Sequence, residues 1–308
     1  MKEQVKKTGF MKKRRQDLLF YIAFMAFPVI QFIVFYVVKN FNSFVLAFQG
    51  YDAFQGYYFN GLENFKKVFY DIAHEYYFKT GIRNSLIHYG IGLVIGLPLG
   101  LTFSYYIYKK FLMSEIFKVI LFLPSVVSIV VMQIIWANVM DGMIPEIYFA
   151  KTGNTMLGLM ANSKTRFLYL ELFNIWVSFG GSMLYYVGAM ARIPDSLIEA
   201  AELDGASLWE EFFQVVIPLT WSTVKTLLVV GIAGIFTADL NLYLFYGTGA
   251  ETDAYIVGYN LLRLTVTSKL DGYPYISAFG MILTAVTMIL TFAMRFVLEK
   301  YTWEDVEF

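Results

Sequence analysis

The sequence predicts an all-α fold, a polytopic membrane helix bundle, and three observations carry that expectation. Six apolar runs reach the roughly 20 residues that a helix needs to cross a bilayer core. Of the 308 residues 58% are hydrophobic and 16% charged, where a soluble domain carries about a quarter charged. The charges also gather between the runs, so the zero net charge points to no partner. There is no cysteine, which removes disulfides and thiolate chemistry; this suits an exported face without proving one.

The runs fall at about 18–38, 84–107, 117–139, 167–190, 219–246 and 275–297. They form a transmembrane domain over 18–297, flanked by a basic tail at 1–17 and a C-terminal tail at 298–308. The first run follows Lys2, Lys6, Lys7, Lys12, Lys13, Arg14 and Arg15. It is longer than the apolar part of a signal peptide, and no small-x-small cleavage site closes it, so it reads as an uncleaved span. With Lys109, Lys110 and Lys118 at the turn between the second and third spans, the positive-inside rule places both termini in the cytoplasm. Lys66, Lys67, Lys79 and Arg83 run against the rule, so orientation rests on the N-terminal cluster.

The second span carries Gly92, Gly96 and Gly100 on one helical face, which reads as close helix packing. Pro124 should kink the third span. Gln133, Asn174 and Asp239 sit six or seven residues inside their spans, about 10 Å deep at 1.5 Å per residue. Polar side chains at that depth are costly and face the bundle or a water-filled cavity. Ser178 lies one turn from Asn174 on the same face, Gly181 continues it, and Gly231 and Gly234 align on the fifth span.

Between the fourth and fifth spans lies a polar stretch at 191–218. Ala200, Ala201 and Leu203 favour helix, and Gly205 allows a sharp turn. Ser207 and Glu210 have the spacing of a capping box that opens a second short helix. Pro218 can open the next span, since its missing N–H falls in a first turn. The result is a helix-turn-helix elbow outside the bilayer, on the cytoplasmic side.

This elbow resembles the coupling loop of the membrane (permease) subunits of binding-protein-dependent ABC importers, whose pattern is Glu-Ala-Ala, three residues, Gly, nine residues, Ile-x-Leu-Pro. Glu199, Ala200, Ala201, Gly205 and Pro218 match in register, with Val215 and Ile217 as conservative replacements. Other segments are similar to the carbohydrate (maltose/multiple-sugar) branch: Gly61-Leu62-Glu63-Asn64-Phe65, Asn84-Ser85-Leu86, Phe122-Leu123-Pro124 with Trp136, and Asn174-Ile175-Trp176. Phe236 to Asp239 resembles Phe-x-x-Phe-Asp with Ala238 in place of the second Phe, and Thr248-Gly249 lacks the Gly-Pro that usually follows, so that turn should be rebuilt.

The resemblance implies six spans with a cytoplasmic coupling helix pair, the type I importer fold. It implies that Glu199, Ala200, Ala201, Leu203, Asp204, Gly205, Leu208 and Pro218 couple to an ATPase, and that Asn174, Val177, Ser178, Gly181, Gly231, Gly234 and Ile235 line the substrate path. Gln133 and Asp239 join that path from their depth. Amides and hydroxyls suit neutral, hydroxyl-rich ligands, and the small residues leave room for an oligosaccharide. No Gly-x4-Gly-Lys-Ser/Thr loop is present, so no cofactor belongs to this chain; ATP and Mg would sit on two partner ATPase subunits. The further partners implied are a second homologous permease, a solute-binding protein, the carbohydrate and the lipid bilayer, with no nucleic acid. The two histidines, His74 and His88, suggest no metal site, His88 reads as a helix-packing residue of the second span without an acidic partner, and no nucleophile triad is visible, so an enzyme is not expected. The rivals are an importer for a non-sugar solute and a membrane-embedded enzyme or channel.

Overall fold

The computed structural model describes residues 2–300, with side chains from residue 17 onward. The basic side chains of the N-terminal tail and the tail at 301–308 lie outside the described residues. Among the described residues five unbroken helices are long and apolar enough to cross a membrane: Asp17–Ala47, Tyr76–Tyr108, Arg166–Met190, Leu208–Ala233 and Tyr273–Lys300. A sixth span is broken into Ser114–Val126 and Ile129–Thr152, which meet at 102°. These stand at the six expected places, and two of them differ from the expected form.

The third span breaks instead of kinking. Pro124 cannot donate a backbone hydrogen bond, and the helix ends two residues later, at Val126. Beyond the break the helix runs on to Thr152, well into the segment expected to be an outside loop. The fifth span begins earlier and ends sooner than expected. Its helix is continuous from Leu208, so Pro218 sits inside it, not at its start. A π-helical turn at Phe212–Val216 precedes the proline and widens the helix where the proline ring would crowd a carbonyl. The helix stops at Ala233. Leu240 and Asn241 then take φ of +53° and +54°, and Asp239 Oδ1 accepts from Asn241 N at 3.2 Å. That local turn replaces the expected last stretch of the span. Gly234 is the helix cap, and Ile235 and Asp239 lie beyond the helix, not within a span.

The chain divides into two compact units, cut at 68/69, 268/269 and 281/282. In the smaller unit the first span is exposed along 17–45, as fits a helix that meets lipid or another chain. A hairpin follows, β1 (Gln49–Asp52) antiparallel to β2 (Gly56–Phe59), with Gln49 opposite Phe59. Asn64 of the Gly-Leu-Glu-Asn-Phe motif donates to Ala47 O at 3.0 Å and Gln49 O at 2.7 Å. It ties the end of the first helix to the hairpin.

The larger unit has two buried clusters. One gathers Leu101, Tyr105, Tyr186, Met190, Ile193, Ile198, Phe212, Val216 and Val224 around the elbow. The other gathers Tyr169, Leu170, Leu240, Leu242, Ala254, Ile256 and Tyr259 at the opposite end. There Asn84 donates to the carbonyls of Asp253 and Tyr255 at 2.9 Å each, and Ser85 Oγ accepts from Val257 N at 3.1 Å. The Asn-Ser motif therefore anchors the 253–257 loop to the second span. The third and fourth spans touch backbone to backbone at Gly180, where an added Cβ would stand 2.5 Å from Leu121 O. The Trp136 and Trp176 rings meet at a tilt near the same seam, 5.5 Å apart.

Candidate functional site

Between the two clusters the second, fourth and fifth spans leave a cavity of about 400 Å³. Of the expected path residues, Asn174, Ser178, Gly231, Gly234 and Ile235 line it. Val177, Gly181, Gln133 and Asp239 are not among its lining residues. Val177, Gly181 and Gln133 are half-buried on their helices. Asp239 serves the turn described above, off the helix of the fifth span and not on it as expected.

What forms instead is an amide pair. Asn241 Nδ2 donates to Asn174 Oδ1 at 3.0 Å, while Asn174 Nδ2 donates to Leu170 O at 3.0 Å. Ser178 Oγ donates to Asn174 O. The pair holds the 234–241 turn against the fourth span, and Asn241 carried no signal in the sequence reading.

The cavity also holds a histidine and a glutamate. His88 Nδ1 lies 3.0 Å from Glu171 Oε2, and Glu171 is 1% exposed. The expectation that His88 only packs, with no acidic partner, is corrected: its partner is 83 residues away. The signal was present in part, because Glu171, Asn174 and Ser178 repeat at i, i+3 and i+7 on one helical face, and an acid within a span is rare enough to be functional by default.

Gly92 and Gly96 line this cavity, and an added Cβ at either would meet nothing within 4 Å. They belong to a π-helical segment, Gly92–Gly96. Only Gly100 of the expected packing stripe packs, with a Cβ position 3.0 Å from the Tyr186 ring.

The elbow forms as expected in its first two parts. Its first helix is Asp195–Leu203. Gly205 turns at φ +81°. Ser207 Oγ accepts from Glu210 N at 3.3 Å, and Glu210 Oε2 accepts from Ser207 N at 2.7 Å, closing the capping box. Glu199, Ala200 and Asp204 are exposed, Ala201 and Pro218 half-buried. Leu203 is 88% exposed and Leu208 50%, so apolar surface remains uncovered at the turn. Trp209 and Phe213, stacked 6.0 Å apart and exposed, extend that surface and were missed in the sequence.

The elbow is tied to the second span. Lys109 Nζ lies 2.8 Å from Glu202 Oε1 and 3.1 Å from Glu211 Oε2, and Tyr105 donates to Glu211 Oε1 at 2.9 Å. Burial pulls the Lys109 pKa down, but the hydrogen bonds to Glu202 and Glu211 outweigh it and hold it above its ordinary value. This contact puts the 109–118 turn and the elbow at one end of the bundle.

The family model for "Binding-protein-dependent transport system inner membrane component" matches residues 91–303, more than half of the chain. The chain belongs to this family. It is a membrane transport subunit, not an enzyme. The permease is 26% identical over 281 residues to the probable ABC transporter permease protein YesP of Bacillus subtilis, covering 90% of this chain and 89% of that one. It is 25% identical over 288 residues to the arabinooligosaccharides transport system permease protein AraP of Bacillus subtilis, covering 92% and 88%. The sn-glycerol-3-phosphate transport system permease protein UgpA of Yersinia pestis is 31% identical over 202 residues, covering 64% and 62%. Among solved structures, a bacterial ABC transporter involved in the import of the acidic polysaccharide alginate has the same fold, with a TM-score of 0.78 over 96% of this chain and 99% of that one, at 19% identity.

Proposed function

We propose that this permease is the membrane-spanning subunit of an ATP-driven importer of carbohydrate, its cargo an oligosaccharide moved by alternating access. The observation that carries this reading is the cavity itself. It is walled by three spans, and it presents amide, hydroxyl, imidazole and carboxylate groups on an otherwise apolar, roomy surface. Such groups hydrogen-bond sugar hydroxyls while the aliphatic and aromatic walls meet sugar rings. Asn174 and Ser178 are the polar contacts, and Gly231, Gly234 and Ile235 form the floor. AraP, whose name specifies arabinooligosaccharides, supports a chain of several sugars.

In this reading both termini and the elbow lie in the cytoplasm. Two ATPase subunits bind ATP and Mg, and Glu199, Leu203 and Leu208 seat the elbow in a groove of one of them. A second, homologous permease supplies the other elbow and the other wall of the path, and a solute-binding protein delivers the cargo from outside. The solved complex of the alginate transporter with an oligosaccharide-bound periplasmic protein supports such a partner.

The similarity to UgpA favours a second reading, in which the cargo is a phosphate ester. Against it, no Lys or Arg stands among the described residues lining the cavity, and Glu171 brings a carboxylate that repels phosphate. Co-purification of the full complex, followed by ATPase assays with its binding protein loaded with neutral oligosaccharide or with glycerol phosphate, separates the two. Stimulation by the oligosaccharide-loaded form alone is expected. Stimulation by the phosphate-loaded form alone would move the permease to the second reading.

A further inference from the structure

Among the described residues of the larger unit Glu211 is the other deeply buried acid, and no part of the cavity uses it. It stands 1% exposed on the first turn after the elbow's bend. A carboxylate so buried needs strong partners, and both come from the second span: the Tyr105 hydroxyl at 2.9 Å and the Lys109 ammonium at 3.1 Å. Around them the packing is apolar and continuous. The Tyr105 and Phe212 rings lie 4.9 Å apart, and Ile198, Phe212 and Val216 share one cluster with Leu101 and Tyr105. The same helix, nine and more residues before Tyr105, forms the cavity wall at His88, Tyr89, Gly92 and Gly96. That wall includes the π-helical turn with its two uncrowded glycines, Gly92 and Gly96, and single π turns of this kind often mark functional sites.

We propose that Glu211, Tyr105 and Lys109 form a latch that makes the elbow and the adjoining half of the second span move as one body, so that displacement of the elbow reaches the cavity wall along this helix. It rests on the reading above, since it requires an ATPase to move the elbow. Glu211 and Lys109 are thus positioning residues for transport, acting through the second span and not on the cargo. The Lys109–Glu202 contact is half-exposed on the glutamate side and adds little; the buried contact to Glu211 carries the latch.

The chain has no cysteine, so introduced ones are unique within it. The full importer, purified with its ATPase subunits in nanodiscs, receives spin labels at Leu112 and Ser196, both exposed. One lies on the turn after the second span, the other on the first elbow helix. Their separation is measured without nucleotide and after trapping with ATP and vanadate. In the same states a single cysteine at Leu93 on the cavity wall is titrated with a small thiol reagent. The native chain is expected to give one narrow Leu112–Ser196 distance that trapping leaves unchanged, and a Leu93 reactivity that trapping alters. Glu211→Ala and Lys109→Met are expected to broaden the distance and lose the state dependence at Leu93, while Glu211→Gln, which keeps an acceptor, retains both. A Leu112–Ser196 distance that changes on trapping in the native chain overturns the latch. So does full retention of both readouts in Glu211→Ala and Lys109→Met. If no ATPase accompanies the native chain, the importer reading itself falls, and the latch with it.

Discussion

His88 Nδ1 and Glu171 Oε2 lie 3.0 Å apart across the second and fourth spans, and the glutamate side chain is only 2% exposed. Removing the partner of a buried polar group leaves that group unsatisfied. His88→Ala is therefore expected to lower stability by about 1–3 kcal/mol, seen as a fall in the thermal unfolding midpoint of the purified complex. Adding Glu171→Leu to His88→Ala is expected to recover most of that loss. A double variant no more stable than His88→Ala would show that the carboxylate is not held by the imidazole.

Asn174 and Asn241 share one hydrogen bond between the fourth span and the 234–241 turn. Losing a buried hydrogen bond costs on the order of 1 kcal/mol, or roughly fivefold to tenfold in a rate that depends on it. Asn174→Ala and Asn241→Ala are each expected to slow uptake by about that factor, and the double variant to be little slower than either. Uptake rates multiplying independently in the double variant would separate the two residues.

Gly205 sits at φ +81°, where a side chain is strained by about 1 kcal/mol or more. Gly205→Val is expected to leave the bundle folded and to cut ATP-driven uptake. Uptake equal to that of the native chain would contradict a coupling role for the elbow.

Gly180 and Gly181 offer an internal contrast. A Cβ at 180 would fall 2.5 Å from Leu121 O and 2.7 Å from Phe122 Cα, whereas one at 181 would meet nothing within 4 Å. Gly180→Ala is expected to destabilise by about 1–3 kcal/mol, the usual cost of overpacking, and Gly181→Ala to be neutral in a thermal unfolding assay. Equal midpoints for the two would deny the close third–fourth span contact.

The spans and the elbow were legible because they are written locally. An apolar run of sufficient length, the Ser207–Glu210 capping box and Gly205 each state their structure within a few residues. The fifth span's end was not legible, because Leu240 and Asn241 leave the helix in a left-handed turn that the apolar pattern through 246 conceals. The site was half-legible. Asn174 and Ser178 announce themselves on one helical face, but their surroundings depend on the contact of Asn174 with Asn241, 67 residues away, and on that of Glu171 with His88, 83 residues away. Gly92 and Gly96 matched a packing pattern by spacing alone, and only the neighbouring helices decide that a cavity lies beside them.

The orientation is open to a direct check. Cysteines at Asn60 and Thr155 are expected to react with an impermeant thiol reagent added to intact cells. Reaction only after the cytoplasm is opened would invert the arrangement and place the elbow away from any ATPase.

The most direct test of the importer reading is transport itself. The permease, its partner permease and the ATPase subunits are reconstituted in proteoliposomes with ATP on the elbow side and the solute-binding protein on the other. Labelled neutral oligosaccharide is expected to accumulate on the elbow side only when ATP and the binding protein are both present, and Asn174→Ala should slow it. Accumulation without ATP, or none of any oligosaccharide while another class of solute is carried, would contradict the assignment.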